Sequence, residues 1–282
     1  MTLQELYTKL ITSLTPALGA NEAKATARLL LEDDLKATTK TVLLHGDRVL
    51  EPETVERFES YIRRITAGEP PQYVVGQAQF MGLNLKVTPA VLIPRPETAQ
   101  LVDMITDRYG QTTDLQVIDL GTGSGCIILA LGRALPFPKL EAVDISDAAL
   151  DVARENAQTL GVKVDFHKDD ILAGLKDISG PFDIIVSNPP YIADKEKASM
   201  DARVKDYEPS SALFVPDSDP LEFYRAIADW AKGTLKPSGT LYFEINPIYA
   251  DELKLMMTKR GFSCDLRLDS YGKTRFAVCT LA

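Results

Sequence analysis

Apolar residues recur at helical spacing through the first 68 residues. Three stretches place apolar residues about one helical turn apart, which predicts amphipathic helices. They are Leu3, Leu6, Leu10 and Leu14, then Ala25, Leu29, Leu30 and Leu35, then Val55, Phe58, Ile62 and Ile65. Asn21 is expected to cap the second helix, and Pro52 to start a third that ends at Gly68. We therefore expect a small helical bundle over residues 1–72, whose role is packing or recognition.

The apolar period changes after Pro71. Residues 73–76 (Tyr-Val-Val-Gly) and 83–87 (Leu-Asn-Leu-Lys-Val) predict two strands, joined through residues 80–82. These strands predict a β-hairpin, and we assign residues 73–92 to a connector between two domains.

A proline-rich segment follows the predicted hairpin. Pro94 and Pro96 fix an extended backbone, and Glu97 then opens an apolar-faced helix. Arg95 and Glu97 stand at this helix entry. Two interpretations are equally open: the pair faces a ligand and binds substrate, or it is a solvated ion pair.

From Leu115 onwards, short apolar runs alternate with amphipathic helical stretches. The predicted strands are Leu115–Leu120, Lys139–Val143, Val162–Phe166, Phe182–Val186, Thr240–Ile245, Phe262–Leu268 and Phe276–Cys279. The predicted helices are Cys126–Leu135, 146–160 with Ser146 as cap, Leu221–Leu235 and Ile248–Arg260, and residues 192–219 are predicted to be a polar loop. This alternation predicts an α/β domain over residues 93–282, with a largely parallel sheet covered on both faces. One of the last two strands should be antiparallel, because no helix separates them.

Composition narrows the range of functions mainly by exclusion. The chain has 282 residues, three cysteines and a net charge of −9. No apolar run is long enough for a membrane span, and no targeting segment opens the chain, so we expect no membrane partner and a cytoplasmic protein. The cysteines lack metal-ligand spacing, so we expect reduced thiols and no metal site. The acidic charge argues against stable nucleic-acid binding, although a local basic patch is compatible with it.

The segment Asn188-Pro189-Pro190-Tyr191 ends the predicted Phe182–Val186 strand. Two prolines cannot donate ladder hydrogen bonds, so the strand must stop there, at an edge where open α/β sheets bind ligands. The Asn188 side-chain oxygen and the Pro189 carbonyl can accept both protons of a planar NH2 group, while Tyr191 covers its plane. Alone, the segment is equally well interpreted as a capped strand exit, since Asn-Pro often opens turns.

A second motif lies upstream, after the Leu115–Leu120 strand. It consists of Asp119, Gly121, Thr122, Gly123, Ser124 and Gly125. The glycine spacing differs from a dinucleotide fingerprint, and no lysine follows as in a P-loop. The loop therefore suits a cofactor that has no phosphates, with Asp119 available to the cationic end of an amino acid.

Acidic residues end the next two predicted strands. Asp144 stands where an acid can accept two ribose hydroxyls, and Asp169 and Asp170 stand where they can meet an adenine amino group. A strand-end acid is often only a helix cap. Acids at two successive strand ends beside a glycine-rich loop favour a cofactor site instead.

These residues carry a resemblance to known enzymes. Asp119–Gly125, Asp144 and the Asn-Pro-Pro-Tyr segment resemble S-adenosylmethionine-dependent methyltransferases that modify exocyclic or amide nitrogens. Further motifs over nearly the whole chain resemble the bacterial peptide-chain release factor glutamine methyltransferases. They are Pro71-Gln72-Tyr73, Gly76, Phe80, Leu92–Glu97, Ile184–Tyr191, Tyr207-Glu208-Pro209, Gly239, Glu244 and Asp269–Arg275.

The resemblance implies a seven-stranded, Rossmann-like class I methyltransferase domain and an N-terminal helical domain that recognises the substrate. It implies S-adenosylmethionine as cofactor, held by Asp119–Gly125, Asp144, Asp169, Asp170 and Asn188. It also implies methylation of the glutamine of the Gly-Gly-Gln motif in release factors, with Asn188, Pro189, Pro190 and Tyr191 as catalytic residues. Separately from the resemblance, we expect a monomer. Two positions depart from the family pattern: Asp170 replaces a frequent aromatic residue, and Asn246 replaces a frequent glycine.

Two other substrates fit the same chemistry. One is a glutamine in a ribosomal protein, and the other is the adenine amino group of a nucleic acid, for which the Asn-Pro-Pro-Tyr segment serves equally well. A cofactor-binding regulator without turnover is a third reading, and the intact acceptor set argues against it.

Overall fold

The computed structural model describes residues 1–282, which form two compact units. One comprises Met1–Gln77 together with Asp201–Tyr207, and the other comprises Ala78–Met200 together with Glu208–Ala282. The division into residues 1–72, 73–92 and 93–282 stays a prediction, since two units do not test a separate connector. No helix is both long and apolar enough to cross a lipid bilayer.

The first unit is a helical bundle. Its helices are α1 (Leu3–Leu18), α2 (Ala20–Leu35), α3 (Thr39–His45), α4 (Pro52–Thr66) and α5 (Pro71–Val75). The predicted leucine stripe of α1 is confirmed, because all four of its leucines are fully buried. Each buried leucine contributes about 1.5–3 kcal/mol of transfer free energy. A capping box starts α1: the Thr2 hydroxyl accepts from the Glu5 N–H at 3.2 Å, and the Glu5 carboxylate accepts from the Thr2 N–H at 2.7 Å.

Several details of the predicted bundle are wrong. Asn21 does not cap α2, because Gly19, at φ +78°, turns the chain and the helix begins at Ala20. Ala25 is exposed, and the buried stripe of α2 runs through its neighbours Ala23, Thr26, Ala27, Leu30 and Leu31. The sequence did not predict α3, since Val42 is its single buried residue and one residue shows no period.

The first predicted strand of the hairpin is also wrong. Residues 71–75 form helix α5, with Pro71 at its first position and Gly76, at φ +75°, ending it in the left-handed region. The hairpin itself exists, but it pairs β1 (Gln77–Phe80) with β2 (Leu83–Lys86).

A distant segment joins the bundle. Residues Asp201–Tyr207 belong to the first unit, where the Tyr207 hydroxyl donates to the Ala67 carbonyl at 3.0 Å and Arg203 pairs with Glu22. The predicted polar loop over residues 192–219 therefore contains a helix, Ala202–Tyr207, that packs in the first unit.

The second unit is built on alternating strands and helices. In chain order they are α6 (Pro96–Tyr109), β3 (Gln116–Leu120), α7 (Cys126–Ala134), β4 (Lys139–Asp144), α8 (Asp147–Leu160), β5 (Asp165–Lys168), β6 (Phe182–Ser187), β7 (Ile192–Ala193), α9 (Ala202–Tyr207, in the first unit), β8 (Phe214–Val215), α10 (Glu222–Thr234), β9 (Leu235–Glu244), α11 (Ala250–Lys259), β10 (Phe262–Leu268) and β11 (Thr274–Leu281). Short strands β7 and β8 pair within the predicted polar loop. Strand β5 begins at Asp165 rather than Val162, because the Val162 N–H still bonds to the Ala157 carbonyl and completes the end of α8.

The main sheet has seven strands in the order β10-β11-β9-β6-β3-β4-β5. All neighbouring strands pair in parallel except β11, which runs antiparallel to β10 and β9. The α/β class, the seven strands and the single antiparallel strand are thus confirmed.

Helices cover both faces of this sheet. Successive strand residues enter different cores: Ile118 packs in one with α10 and α11, and Val117 packs in the other with α6 and α7. Both are fully buried, which explains why the strands are continuous apolar runs.

Candidate active site

Four parallel strands end at one edge of the sheet. Strands β6, β3, β4 and β5 are neighbours in that order, so the residues that follow them are brought together. The glycine-rich loop follows β3, Asp144 ends β4, Asp169 and Asp170 follow β5, and Asn188 follows β6. This is the arrangement that gives open α/β sheets their ligand sites.

A cavity of about 340 Å³ lies at this edge. Ten of the residues predicted for the site line it: Arg95, Gly121, Thr122, Gly123, Ser124, Asp144, Asp169, Asp170, Asn188 and Pro190. The cavity wall does not include Glu97, Asp119, Gly125, Pro189 or Tyr191. A wider and more open depression, lined by residues such as Arg154 and His167, holds none of the predicted site residues.

The glycine-rich loop needs its glycines for their backbone conformation. Gly121, Gly123 and Gly125 have φ of +78°, +55° and +81°, in the left-handed region that side chains disfavour. At Gly125 packing adds to this, because a Cβ there would lie 3.1 Å from the Leu129 Cδ1 atom, whereas a Cβ on Gly123 would meet no atom within 4 Å. The N–H groups of Gly121 and Thr122 both donate to the Val143 carbonyl at 2.9 Å, which fixes the loop against β4.

Asp119 lies beneath the loop rather than in the cavity wall. Its Oδ2 accepts from the Thr122 hydroxyl at 2.7 Å, while its buried Oδ1 has no hydrogen-bond partner. Complete burial raises the pKa of this carboxyl to about 7, against the opposing effect of the Thr122 hydrogen bond. Asp119 therefore supports the loop from beneath, with Oδ1 as a buried acceptor that has no hydrogen-bond partner.

Asp144 connects β4 to the glycine-rich loop. Its Oδ2 accepts from the Gly123 N–H at 2.9 Å, and its Oδ1 accepts from the Ser146 N–H at 3.0 Å. Burial raises the pKa of Asp144, and these backbone donors oppose the shift. Because a carboxylate oxygen has more than one acceptor site, both oxygens can still accept from a ligand in the cavity.

The acids after β5 differ in their surroundings. The Oδ1 atom of Asp169 accepts from the Asp170 N–H at 2.7 Å, and its Oδ2 is buried without a partner. Asp170 caps a short 3₁₀ turn, accepting from the Leu172 N–H at 2.8 Å. Asp170 is thus partly a structural cap, whereas Asp169 holds the free buried acceptor.

Asn188 belongs to a hydrogen-bonded group that reaches the end of β9. Its Nδ2 donates to the Thr98 hydroxyl at 3.4 Å, and that hydroxyl donates to the Glu244 Oε2 at 2.7 Å. The Tyr191 hydroxyl donates to the Glu244 Oε1 at 3.1 Å. Burial raises the pKa of Glu244, and also that of Tyr191, which stays a neutral donor. One buried carboxyl therefore bonds to Tyr191 directly and is linked to Asn188 through the Thr98 hydroxyl.

Arg95 is held by a buried acid. Glu208 pairs with the Arg95 guanidinium and also accepts from the Ile93 N–H at 3.1 Å. Arg95 therefore lines the cavity with a fixed orientation, and Glu97 lies outside the cavity wall. Binding of substrate by either residue stays a prediction.

Sequence reasoning missed the roles of Thr98 and Glu208 and the use made of Glu244. Glu208 and Glu244 lie in motifs that carry the family resemblance, which was the available signal. Thr98 directly follows Glu97 in the proline-rich segment and carried no signal of its own, because its partner Glu244 is 146 residues away.

Comparisons with known proteins agree with this geometry. A family model described as "PrmC N-terminal domain" matches residues 6–76, and one described as "Methyltransferase small domain" matches residues 97–204. A release factor glutamine methyltransferase from Bacteroides thetaiotaomicron is 42% identical over 267 residues, which cover 93% of this chain and 94% of that protein. The chain belongs to the release factor glutamine methyltransferase family. The resemblance inferred from its motifs is thereby confirmed.

Other members and more distant structures extend the comparison. A family member from Flavobacterium psychrophilum is 36% identical and is matched over 98% of both chains. The solved structure of the Thermus thermophilus 16S rRNA N2 G1207 methyltransferase, in complex with AdoMet and guanosine, superimposes with a TM-score of 0.52 at 18% identity. The match covers 73% of this chain and 49% of that one, and it shows a shared fold.

Proposed function

We propose that this protein methylates the side-chain amide nitrogen of the glutamine in the Gly-Gly-Gln motif of peptide-chain release factors. Family membership supports the reaction, because the relatives named above are release factor glutamine methyltransferases. One observation carries the proposal: Asn188 lines the same cavity as the glycine-rich loop, and its side-chain oxygen makes no hydrogen bond within the protein. A free amide oxygen beside a cofactor loop suits an acceptor substrate that carries an NH2 group.

The residues in and directly beneath the cavity wall fit S-adenosylmethionine, the cofactor. Buried polar atoms normally have partners, yet the Asp119 Oδ1 and the Asp169 Oδ2 have none, so each suits a ligand donor. Asp119 would face the ammonium end, Asp144 the ribose hydroxyls, and Asp169 with Asp170 the adenine amino group. The loop from Gly121 to Ser124 would let the cofactor approach the backbone closely, because Gly121 and Gly123 have no side chains. When bound, the cofactor supplies an electrophilic methyl group on a sulfonium.

The Asn-Pro-Pro-Tyr segment would hold the acceptor. An amide nitrogen is a poor nucleophile because its lone pair is delocalised. The Asn188 side-chain oxygen and the Pro189 carbonyl would each accept one N–H bond, which favours positive charge on the nitrogen as it attacks. Tyr191 would pack on the amide plane, and Pro190 makes the segment rigid. Catalysis would rest on orientation and electrostatics, and the excess proton of the product would leave to water without a strong base.

The biological setting follows from this substrate. Release factors act in translation, so we place the reaction in the cytoplasm. A monomer suffices, since a single chain supplies every residue of the site. The net charge of −9 supports a protein substrate and opposes stable nucleic-acid binding.

The test is to locate the transferred methyl group. The protein is incubated with isotope-labelled S-adenosylmethionine and, separately, with a purified release factor, ribosomal proteins or DNA, and the products are examined by mass spectrometry. We expect one labelled methyl group on the Gly-Gly-Gln glutamine, and none on a release factor in which alanine replaces that glutamine. Label on a ribosomal glutamine or on adenine, with none on the release factor, would contradict the proposed substrate.

A further inference from the structure

Glu244, Thr98 and Asn188 form a chain of hydrogen bonds in which each donor and each acceptor can be assigned. Thr98 is 2% exposed and Glu244 is 1% exposed, so both are largely shielded from bulk water. The Thr98 hydroxyl lies 2.7 Å from the Glu244 Oε2 and 3.4 Å from the Asn188 Nδ2. The second distance is at the long end of hydrogen-bond range, as is common for catalytic groups before substrate binds.

Proton counting assigns the donors and acceptors. Both Glu244 oxygens accept here, Oε2 from the Thr98 hydroxyl and Oε1 from the Tyr191 hydroxyl, and a hydroxyl has one proton to donate. The Thr98 proton is therefore committed to Glu244, and Thr98 can only accept from Asn188. Because an amide has donors at one end and an acceptor at the other, Asn188 must turn its NH2 towards Thr98.

The opposite orientation of the Asn188 amide is unfavourable on both sides. Its oxygen would then lie against a lone pair of the Thr98 hydroxyl. Its NH2 would face the cavity, where it would meet the NH2 of a glutamine, and two donors cannot bond to each other. Thr98 therefore presents the acceptor end of Asn188 to the substrate.

The carboxylate that begins this group is itself fixed. Glu244 ends β9, where it pairs in register with Phe276 of β11, and its backbone carbonyl accepts from the Tyr224 hydroxyl at 3.0 Å. Its second oxygen accepts from Tyr191. The two hydroxyl donors thus reach different oxygens of the carboxylate, and a carboxamide at this position would present an NH2 group to one of them.

We infer that Thr98 and Glu244 are positioning residues that set the orientation of the Asn188 amide, so that its oxygen faces the acceptor nitrogen. The orientation of the amide does not depend on the proposed function, but its effect on catalysis rests on that function. Neither residue is assigned a contact with the reacting atoms. Their effect passes through Asn188, which gives the inference a distinctive test.

The kinetic test is a double-mutant cycle. Thr98→Val removes the hydroxyl at nearly constant shape, and Thr98→Ser keeps it. We expect Thr98→Val to lower kcat about tenfold, the value of one hydrogen bond, with the cofactor Kd unchanged and Thr98→Ser close to wild type. In an Asn188→Ala background, Thr98→Val should cause no further loss. An equal loss in both backgrounds would show a general structural role and would overturn the inference.

A second readout does not depend on the substrate. The side-chain NH2 resonances of Asn188 are assigned in a 15N-labelled protein by their loss in Asn188→Ala. We expect them to shift and exchange faster with water in Thr98→Val, and to stay in place in Thr98→Ser. Glu244→Gln, which offers one acceptor oxygen for two donors, should move them too and serves if Thr98→Val does not fold. Unmoved resonances in folded variants would overturn the inference, whereas absent methylation of release factors would overturn only the proposed function.

Discussion

The Asp144 carboxylate accepts a hydrogen bond from the Gly123 backbone N–H at 2.9 Å. The acid that ends β4 is therefore attached to the glycine-rich loop that follows β3, and it lines the cavity beside that loop. Asp144 thus shapes the loop in addition to the ribose-binding role proposed for it. The loop and Asp144 are therefore coupled, and replacing Asp144 should affect both the loop and the cofactor contact.

Asp144→Ala should weaken cofactor binding. The variant loses one or two charge-assisted hydrogen bonds to the ribose together with the bond to Gly123, so we expect the Kd for S-adenosylmethionine to rise about tenfold or more. Isothermal titration calorimetry measures this directly. Asp144→Asn, which keeps one acceptor oxygen, should show a smaller loss. Unchanged affinity in both variants would remove Asp144 from the cofactor site.

Asn188→Ala should impair turnover rather than cofactor binding. Removing one of the two acceptors for the substrate NH2 group should lower kcat about 10²–10³-fold, by analogy with loss of one oxyanion-hole donor. Single-turnover kinetics with a release factor measure the effect. Asn21→Ala, at an exposed position of the helical bundle, is the control and should behave as wild type. Undiminished turnover in Asn188→Ala would refute its catalytic assignment.

Asn246→Gly should loosen the chain after Tyr191. The Asn246 Nδ2 donates to the Tyr191 carbonyl and to the Glu196 carboxylate, both at 3.0 Å, and its Oδ1 accepts from the Ile248 N–H at 3.1 Å. We expect faster amide hydrogen exchange over residues 191–199, measured by mass spectrometry. Asn246→Ser keeps an acceptor for the Ile248 N–H but loses the Nδ2 bonds to Tyr191 and Glu196. Comparing the two variants therefore separates the effect of the local cap from that of these two bonds. Exchange at the wild-type rate in Asn246→Gly would show that these bonds do not order the segment.

Asp119 should make stability depend on pH. Its pKa is about 7 in the folded chain, above the ordinary 3.8, so the folded state binds more protons than the unfolded state between these values. The free energy of unfolding should therefore fall, through this group, as pH rises from about 4 to about 7. Asp119→Asn lacks the group and keeps an acceptor for Thr122. Urea denaturation of the cofactor-free proteins at pH 5 and pH 8 measures this effect. The free energy of unfolding should fall less between these pH values in Asp119→Asn than in the wild type. An equal pH dependence in both proteins would contradict the assignment.

The sequence predicts the strand-end chemistry well because that chemistry is local. A run of buried residues followed by a glycine-rich loop, an acid or two prolines is visible without the fold. Parallel pairing then brings Asp144 and Asn188 to one edge. The sheet and nine of the ten predicted cavity-lining residues were predictable on this basis, and Arg95 was predicted from the proline-rich helix entry instead.

The supporting contacts were not predictable in the same way. Thr98 meets Glu244, and Arg95 meets Glu208, only because distant elements pack together. The burial of Asp119 beneath the loop also depends on packing, which the strand pattern does not specify. Helix α5 shows a local failure: its apolar residues resemble a strand, and only Pro71 and Gly76 mark it as a short helix.

The central claim is that the cofactor and a planar NH2 group meet between the glycine-rich loop and Asn188. A crystal structure of the protein with S-adenosylhomocysteine and a Gly-Gly-Gln peptide tests it most directly. We predict the cofactor product along Gly121–Gly125 and Asp144, with the glutamine NH2 bonded to the Asn188 Oδ1 and the Pro189 carbonyl. A cofactor bound elsewhere, or a glutamine side chain remote from Asn188, would contradict the account.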